Sequence, residues 1–274
     1  MLREITLGQY YPADSPIHKL DPRVKLMGTF VYIISLFLFR DVVGFAVATV
    51  FLVSVVRLSK VPFSYMVKGL KSVLALMAVT ALFNLFLTPG EHVLAAYGIL
   101  RITSEGVKNA VFMLVRLIYL IVGTSVMTLT TTPNQLTDGL EKALMPLSKV
   151  KVPVHSIAMI MSIALRFIPI LIEETDIIMK AQMARGADFE NGNLIKRVKA
   201  MVPLLVPLFV SAFRRADDLA MAMEARCYMG GVGRTKMKPL KYKKEDYQGY
   251  LVMAGYLGII VLWGWFGPLV KVFI

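Results

Sequence analysis

The stretch VPVHSIAMIMSIALRFIPILIEETDIIMKAQMARG, Val152 to Gly186, decides how this chain folds. Its first part, Val152–Ile172, is long and apolar enough to cross a bilayer, since a spanning helix takes about 20 mostly apolar residues. Arg166 interrupts that run and Pro169 would kink it. An arginine without a partner at mid-membrane costs at least ~2.5 kcal/mol. The second part, from Asp176, reads as a helix that stops at Arg185, set between Ala184 and Gly186. The same design returns at DDLAMAMEARC, Asp217 to Cys227. Asp176 and Asp217 each lie nine positions before the arginine, Ala181 matches Ala222, Ala184 matches Ala225, and Arg185 matches Arg226, all at an offset of 41. Gly186 and the Gly230–Gly231 pair suit chain reversal past a helix end.

The helix ending at the second arginine contains its own apolar run, MVPLLVPLFVSAF, Met201 to Phe213. It would make only about 20 Å of helix, against about 30 Å of hydrocarbon, and Pro203 and Pro207 lie within it. Both runs are therefore read as helices at the cytoplasmic face, each laying an apolar surface on the membrane domain or on the other helix. The alternative counts both as spans, seven in all.

Two explanations compete for the arginine tips. A basic residue near a helix C-terminus complements the macrodipole, worth about 0.3–1 kcal/mol. Alternatively, small neighbours let a partner approach the backbone while the guanidinium enters its pocket, a charge-assisted contact worth about 1.5–3 kcal/mol. One tip alone favours the first explanation. Two tips in register favour the second, because matching tips imply matching sockets.

The rest of the chain is membrane-like. Of its 274 residues, 57% are hydrophobic, and the mean hydropathy is +0.64, whereas soluble domains are closer to half apolar. Five spans are expected: about Val24–Phe39, Val42–Val56, Ser72–Leu87 (closed by the TPGE turn), Val107–Met127 and Tyr250–Val270. The net charge of +13 fits Lys and Arg gathered on the cytoplasmic side and does not require nucleic acid. Arg3, Lys19, Arg23 and Lys25 precede the first span, and Arg57, Lys60, Lys68 and Lys71 follow the second, whereas the opposite loops carry Arg40 and Arg101 among Asp41, Glu91 and Glu105. The N-terminus is thus placed in the cytoplasm. No cleaved signal peptide is read in MLREITLGQYYPADSPIHKL. The organisation expected is an all-α polytopic membrane protein: residues 1–130 as an N-terminal membrane domain, 131–248 as a cytoplasmic domain of two long crossed helices, and 249–274 as a final span. The segment from Thr130 to Gln248 holds 18 of the 31 Lys plus Arg and 12 of the 18 Asp plus Glu.

Several charged residues have two readings. Asp21, Pro22, Arg23 and Lys25 either organise the start of the first span, Asp21 pairing with a nearby base, or form an interfacial anchor and topology signal. Arg166 pairs with Glu173 or Glu174, two turns away, or with another helix. LKYKKED, Leu240 to Asp246, reads as a run facing lipid headgroups.

Function classes narrow accordingly. The lone Cys227 and the scattered His18, His92 and His155 offer no metal-ligand spacing. There is no Gly-x-x-x-x-Gly-Lys-Ser/Thr phosphate loop. A stand-alone secondary transporter or channel usually carries intramembrane Asp, Glu or His, and here the spans hold none of these; away from their ends they offer only Arg116. A membrane enzyme would need more than TLTTTP and His155, which make no recognisable constellation.

HKLDPRVKL (His18–Leu26), MTLTTTPNQLTDGLEKALMPL, ALRFIPILIEE, AQMARGAD and EARCYMGG resemble, in that order, the transmembrane (T) components of energy-coupling factor transporters. The resemblance runs from about residue 7 to 270, and the paired Ala-Arg-Gly motifs are its most specific part. It implies the scaffold of an ATP-driven importer of vitamins or metal ions in a prokaryotic cell membrane. This subunit would be non-catalytic and hold no cofactor, with ATP and magnesium bound by its partners. Those partners would be two cytoplasmic ATPase subunits of the ABC type and a small substrate-binding membrane protein, the S component. The first docking motif falls on Ala184, Arg185 and Gly186, the second on Ala225, Arg226 and Cys227. Cys227 departs from the usual glycine and is expected to be a packed small residue. The surface transmitting movement to the S component falls on Met159, Met161, Leu204, Leu205, Leu208 and Met221. Pro169, with Pro203 and Pro207, would set bends along the coupling helices.

Overall fold

The computed structural model describes residues 10–39, 41–89, 93–97, 100–187, 189, 194–230, 237 and 239–272. Arg3, Arg40, Glu91 and His92 lie outside the described residues. In chain order the elements are α1 (Pro16–Lys19), α2 (Pro22–Leu38), α3 (Val42–Ser59), α4 (Phe63–Leu87), β1 (Val93–Tyr97), β2 (Leu100–Thr103), α5 (Ser104–Thr130), α6 (Pro133–Leu144), a 3-10 turn at Met145–Val150, α7 (Val154–Ala184), α8 (Leu194–Glu224) and α9 (Lys244–Val272). The chain forms two compact units, one ending at Gly139 and resuming at Leu240, the other Leu140–Pro239. These divisions stand beside the expected ones at 130/131 and 248/249.

Among the described residues four helices are long and apolar enough to cross a membrane: α3, α5, α7 and the Lys244–Trp265 part of α9; a bent α4 makes five. The number agrees with the sequence reading, but its members differ. α2 has 17 residues, about 25 Å of helix. α7 is one continuous helix of 31 residues through Pro169, so by length and composition it qualifies as a span despite Arg166. The sequence reading also missed a β-hairpin between α4 and α5, where β1 and β2 pair antiparallel. Thr103 ends it and caps α5, accepting from the Gly106 N–H at 3.1 Å and donating to the Thr88 carbonyl at 3.0 Å.

In the first unit, α5 packs on α2, α3 and α4, and α9 packs on α2 and α3. Aromatic rings fill the core. Phe45 stacks on Phe112 at 5.1 Å and meets Phe39 edge-on at 5.0 Å, and Phe51 stacks on Tyr256 at 4.1 Å. Gly123 on α5 admits the ring of Tyr32: a Cβ there would stand 2.3 Å from Tyr32 Cε1. Hydroxyls in this core find acceptors, as burial demands; Ser35 donates to the Tyr32 carbonyl at 2.7 Å and lies 2.8 Å from the Tyr256 hydroxyl. Arg116, the ionisable residue noted within the spans, donates to the carbonyl of Phe39, the residue that ends α2, at 2.9 Å and faces the rings of Phe37 and Phe45. The guanidinium thus meets a carbonyl dipole and two ring faces.

The HKLDPRVKL stretch ties three elements together. Asp21 caps α2, accepting from the Arg23 N–H at 2.9 Å, while the Arg23 guanidinium grips both carboxylate oxygens at 3.0 and 2.9 Å and lies 3.9 Å over the Tyr242 ring. The Asp21 N–H donates to Asp246 at 2.7 Å, and Asp246 also accepts from the Lys243 N–H at 2.7 Å. Lys25 Nζ donates to the carbonyls of His18 and Thr130 at 3.1 and 2.8 Å. The start of α2, the end of α5 and the start of α9 are thereby joined, so Asp21 does pair with a nearby base. Asp246, placed by sequence in a headgroup-facing run, is 1% exposed; it caps α9 and holds α2 at once.

The second unit contains the end of α6, the 3-10 turn, α7 and α8. His155 Nδ1 lies 3.1 Å from Glu141 Oε1, linking the start of α7 to the end of α6.

Asp246→Ala strips two N–H groups of their acceptor and should cost about 2–3 kcal/mol, with Asp246→Asn costing less; thermal unfolding in detergent measures both. Burial acts to raise the Asp21 carboxyl, and the Arg23 guanidinium and N–H hold it below the ordinary aspartate value. A depressed folded pKa gives stability that is present above the ordinary value near 3.9 and lost as pH falls through the folded one. Tm should therefore drop below about pH 4, less steeply in Asp21→Asn, as a pH series of melts would show.

Candidate docking site at two helix ends

The last carbonyls of a helix have no partner within it. α7 solves this with a residue of positive φ: Gly186 takes φ +89°. Its N–H donates to the Met183 carbonyl at 2.9 Å, and the next N–H, of Ala187, reaches back to Gln182 at 3.0 Å. α8 ends the same way one offset later. Cys227 takes φ +53°, its N–H donates to Glu224 at 2.8 Å, and Tyr228 N–H reaches Met223 at 3.0 Å. The two ends carry one hydrogen-bond pattern, a left-handed cap, with the arginine on the residue before the left-handed one.

This geometry explains the glycine of the first tip. A Cβ built at Gly186 meets nothing within 4 Å, so glycine is required there by backbone conformation rather than by packing within the chain. Ala184, Arg185, Gly186, Ala225, Arg226 and Cys227 are all exposed. Among the described residues neither guanidinium has a hydrogen-bond or ion-pair partner. Cys227 is a correction to the sequence reading: it is an exposed residue in a conformation that costs an L-amino acid about 1–2 kcal/mol, not a packed one.

α7 and α8 meet through polar groups as well as apolar ones. Arg215 Nη2 donates to Glu174 Oε2 at 3.1 Å. Arg215, not Arg166, is therefore the partner of Glu174. The Tyr228 hydroxyl, just past the second tip, donates to Met159 Sδ at 3.0 Å.

The expected coupling surface divides. Leu205, Met161, Met221 and Pro169 are exposed, and Met159 and Leu208 are half-buried. Leu204, expected on the surface, is only 3% exposed, because the side chain next to Leu205 on a helix points about 100° away from it. What the sequence reading missed is a stripe at four-residue spacing on α8, Met201, Leu205, Phe209 and Phe213, all exposed. The i, i+4 recurrence was its available signal. Among the described residues no group of three or more His, Cys, Asp or Glu could hold a metal ion.

Cys227→Gly should relieve the strained cap and raise stability by up to about 1 kcal/mol, once the entropic cost of glycine is subtracted. Gly186→Ala should lose about 1 kcal/mol. Thermal unfolding of the two variants should shift in opposite directions.

Comparison with known proteins matches these features to a family. The CbiQ family profile, described as cobalt transport protein, matches residues 13–238, which include both caps and the helices carrying them. A relative from Clostridium kluyveri is 55% identical over 248 residues, covering 90% of this chain and 92% of the relative. One from Thermosediminibacter oceani is 53% identical over 250 residues, 91% and 94% of the two chains. One from Bacillus subtilis is 48% identical over 246 residues, 90% and 93%. All three are energy-coupling factor transporter transmembrane proteins, EcfT. With this identity sustained over nine-tenths of its length, the chain belongs to the CbiQ/EcfT family, the transmembrane components of energy-coupling factor transporters.

Proposed function

We propose that this chain is the coupling scaffold of an importer in the prokaryotic cell membrane, with its N-terminus in the cytoplasm. It carries the movement of two ATPase subunits to a separate membrane subunit that binds a vitamin or similar micronutrient. The observation that supports this most directly is the pair of identical caps, each ending a 31-residue helix and each presenting an exposed arginine without a partner among the described residues. Each Arg-small tip enters a groove of one ATPase. α7 and α8 lie on the cytoplasmic side in this reading, despite the length of α7.

The mechanism follows from what the residues can do. ATP and magnesium belong to the ATPases, and this chain supplies no catalytic group. When the ATPases close on ATP, their grooves approach and carry Arg185 and Arg226 with them. A helix transmits such a displacement along its length, since its internal hydrogen bonds resist stretching. The proline positions, Pro169, Pro203 and Pro207, remove N–H donors inside the helices and localise bending. Exposed apolar side chains on α7 and α8, Met161, Leu205 and Met221 among them, then repack against the substrate-binding subunit. Methionine suits a surface that must repack at little cost.

Arg185→Glu and Arg226→Glu should each weaken ATPase binding about 10- to 100-fold, as loss of a charge-assisted contact worth about 1.5–3 kcal/mol implies. The double variant should fail to co-purify with the ATPases. A double variant that assembles fully and still transports would sink this reading.

A further inference from the structure

Setting α8 on α7 at the 41-residue offset places Glu173–Glu174 against Arg214–Arg215, Asp176 against Asp217, and one cap against the other. Glu174 and Arg215 are therefore equivalent positions, and they are the ones that bond, at 3.1 Å. When equivalent positions of two like helices touch, a local two-fold axis passes between them, because the rotation exchanging the helices leaves that contact in place. The second contact agrees. From Glu174 back to Met159 on α7, and from Arg215 forward along α8 to Tyr228 just past its cap, the contacts follow the two chains in opposite directions. Arg185 lies eleven positions beyond Glu174 and Arg226 eleven beyond Arg215, so each tip stands on an arm of about 16 Å.

We infer that Glu174 on α7 and Arg215 on α8 form a register key, positioning residues that fix the crossing point and hence set both arginine tips equally far from it. In the observed register Glu174 is held by Ser211 as well as by Arg215; slipping α8 by one turn would carry Arg215 away and leave Glu174 opposite uncharged residues alone, Ser211 or Leu219. Pairing α7 with the same helix of a second copy would set glutamates against glutamates, and α8 with α8 arginines against arginines. A part-exposed ion pair adds little to stability. It discriminates instead, because each wrong pairing forfeits the attraction or meets a repulsion. Two helices that end in matching motifs need such a distinction, and Glu174 against Arg215 supplies it.

The importance of the tips rests on the proposed docking role, but their placement is measurable on the chain alone. Spin labels on the native Cys227 and on Met183→Cys, in the full chain in lipid nanodiscs, report the distance between the tips by pulsed EPR. The parent should give one narrow distribution. Glu174→Arg and Arg215→Glu should each broaden it or shift it by about 5 Å, one helical turn. Glu174→Gln should fall between, and it serves if the reversals reduce the helix content seen by circular dichroism. The exchanged pair, Glu174→Arg with Arg215→Glu, should recover the narrow distribution. Single reversals that keep the parent distribution, or an exchange as broad as the singles, would overturn the key. Neither result depends on ATPase binding, so loss of docking in the arginine-tip variants and loss of register are separately visible.

Discussion

A helix can end on an exposed side chain without penalty only if its own last carbonyls are already bonded. The carbonyls at a helix end are the difficulty, and the left-handed cap is the solution found at both ends of this pair. Because the cap turns the chain back on its own last turn, the residue before it is left at the outermost point. Arg185 and Arg226 occupy that position on α7 and α8. Both are exposed at the points where the helices stop, and the glycine after the first follows from the same backbone geometry.

The first unit obeys a different constraint. It must bury polar groups where water is scarce, and several of them find backbone partners. Arg116 reaches the carbonyl of Phe39 just past α2, Lys25 reaches two carbonyls, and Asp246 takes two N–H groups. These bonds link elements far apart in sequence. Charge in this unit works as joinery between helices.

What the sequence disclosed and what it withheld divide along physical lines. Apolar runs show spans, since their length is set by the bilayer, and the matching DxxxxAxxAR spacing shows two equivalent helix ends. Ranges were less visible. α7 continues through Pro169 because the kink a proline imposes need not end a helix, and the β-hairpin has no strong alternation to announce it. The partner of Glu174 was hidden because tertiary contacts join residues that no local period relates. Yet the 41-residue offset that matched the arginines also connects Glu174 with Arg215. Cys227 was misread for a related reason: composition says that a residue is small and says nothing of its φ. Leu204 and Leu205 are both leucines in one run, and only the helix decides which is covered.

The two caps agree in shape and differ in the residue that makes them. Gly186 sits at ease in its conformation, whereas Cys227 keeps φ +53° against its own Cβ. Local opening is drawn from the least stable segments of a structure. The end of α8 should therefore fray sooner than the end of α7, exchanging its amide protons faster. Symmetry of form thus comes with an expected inequality of strength, the end of α8 being the weaker of the two.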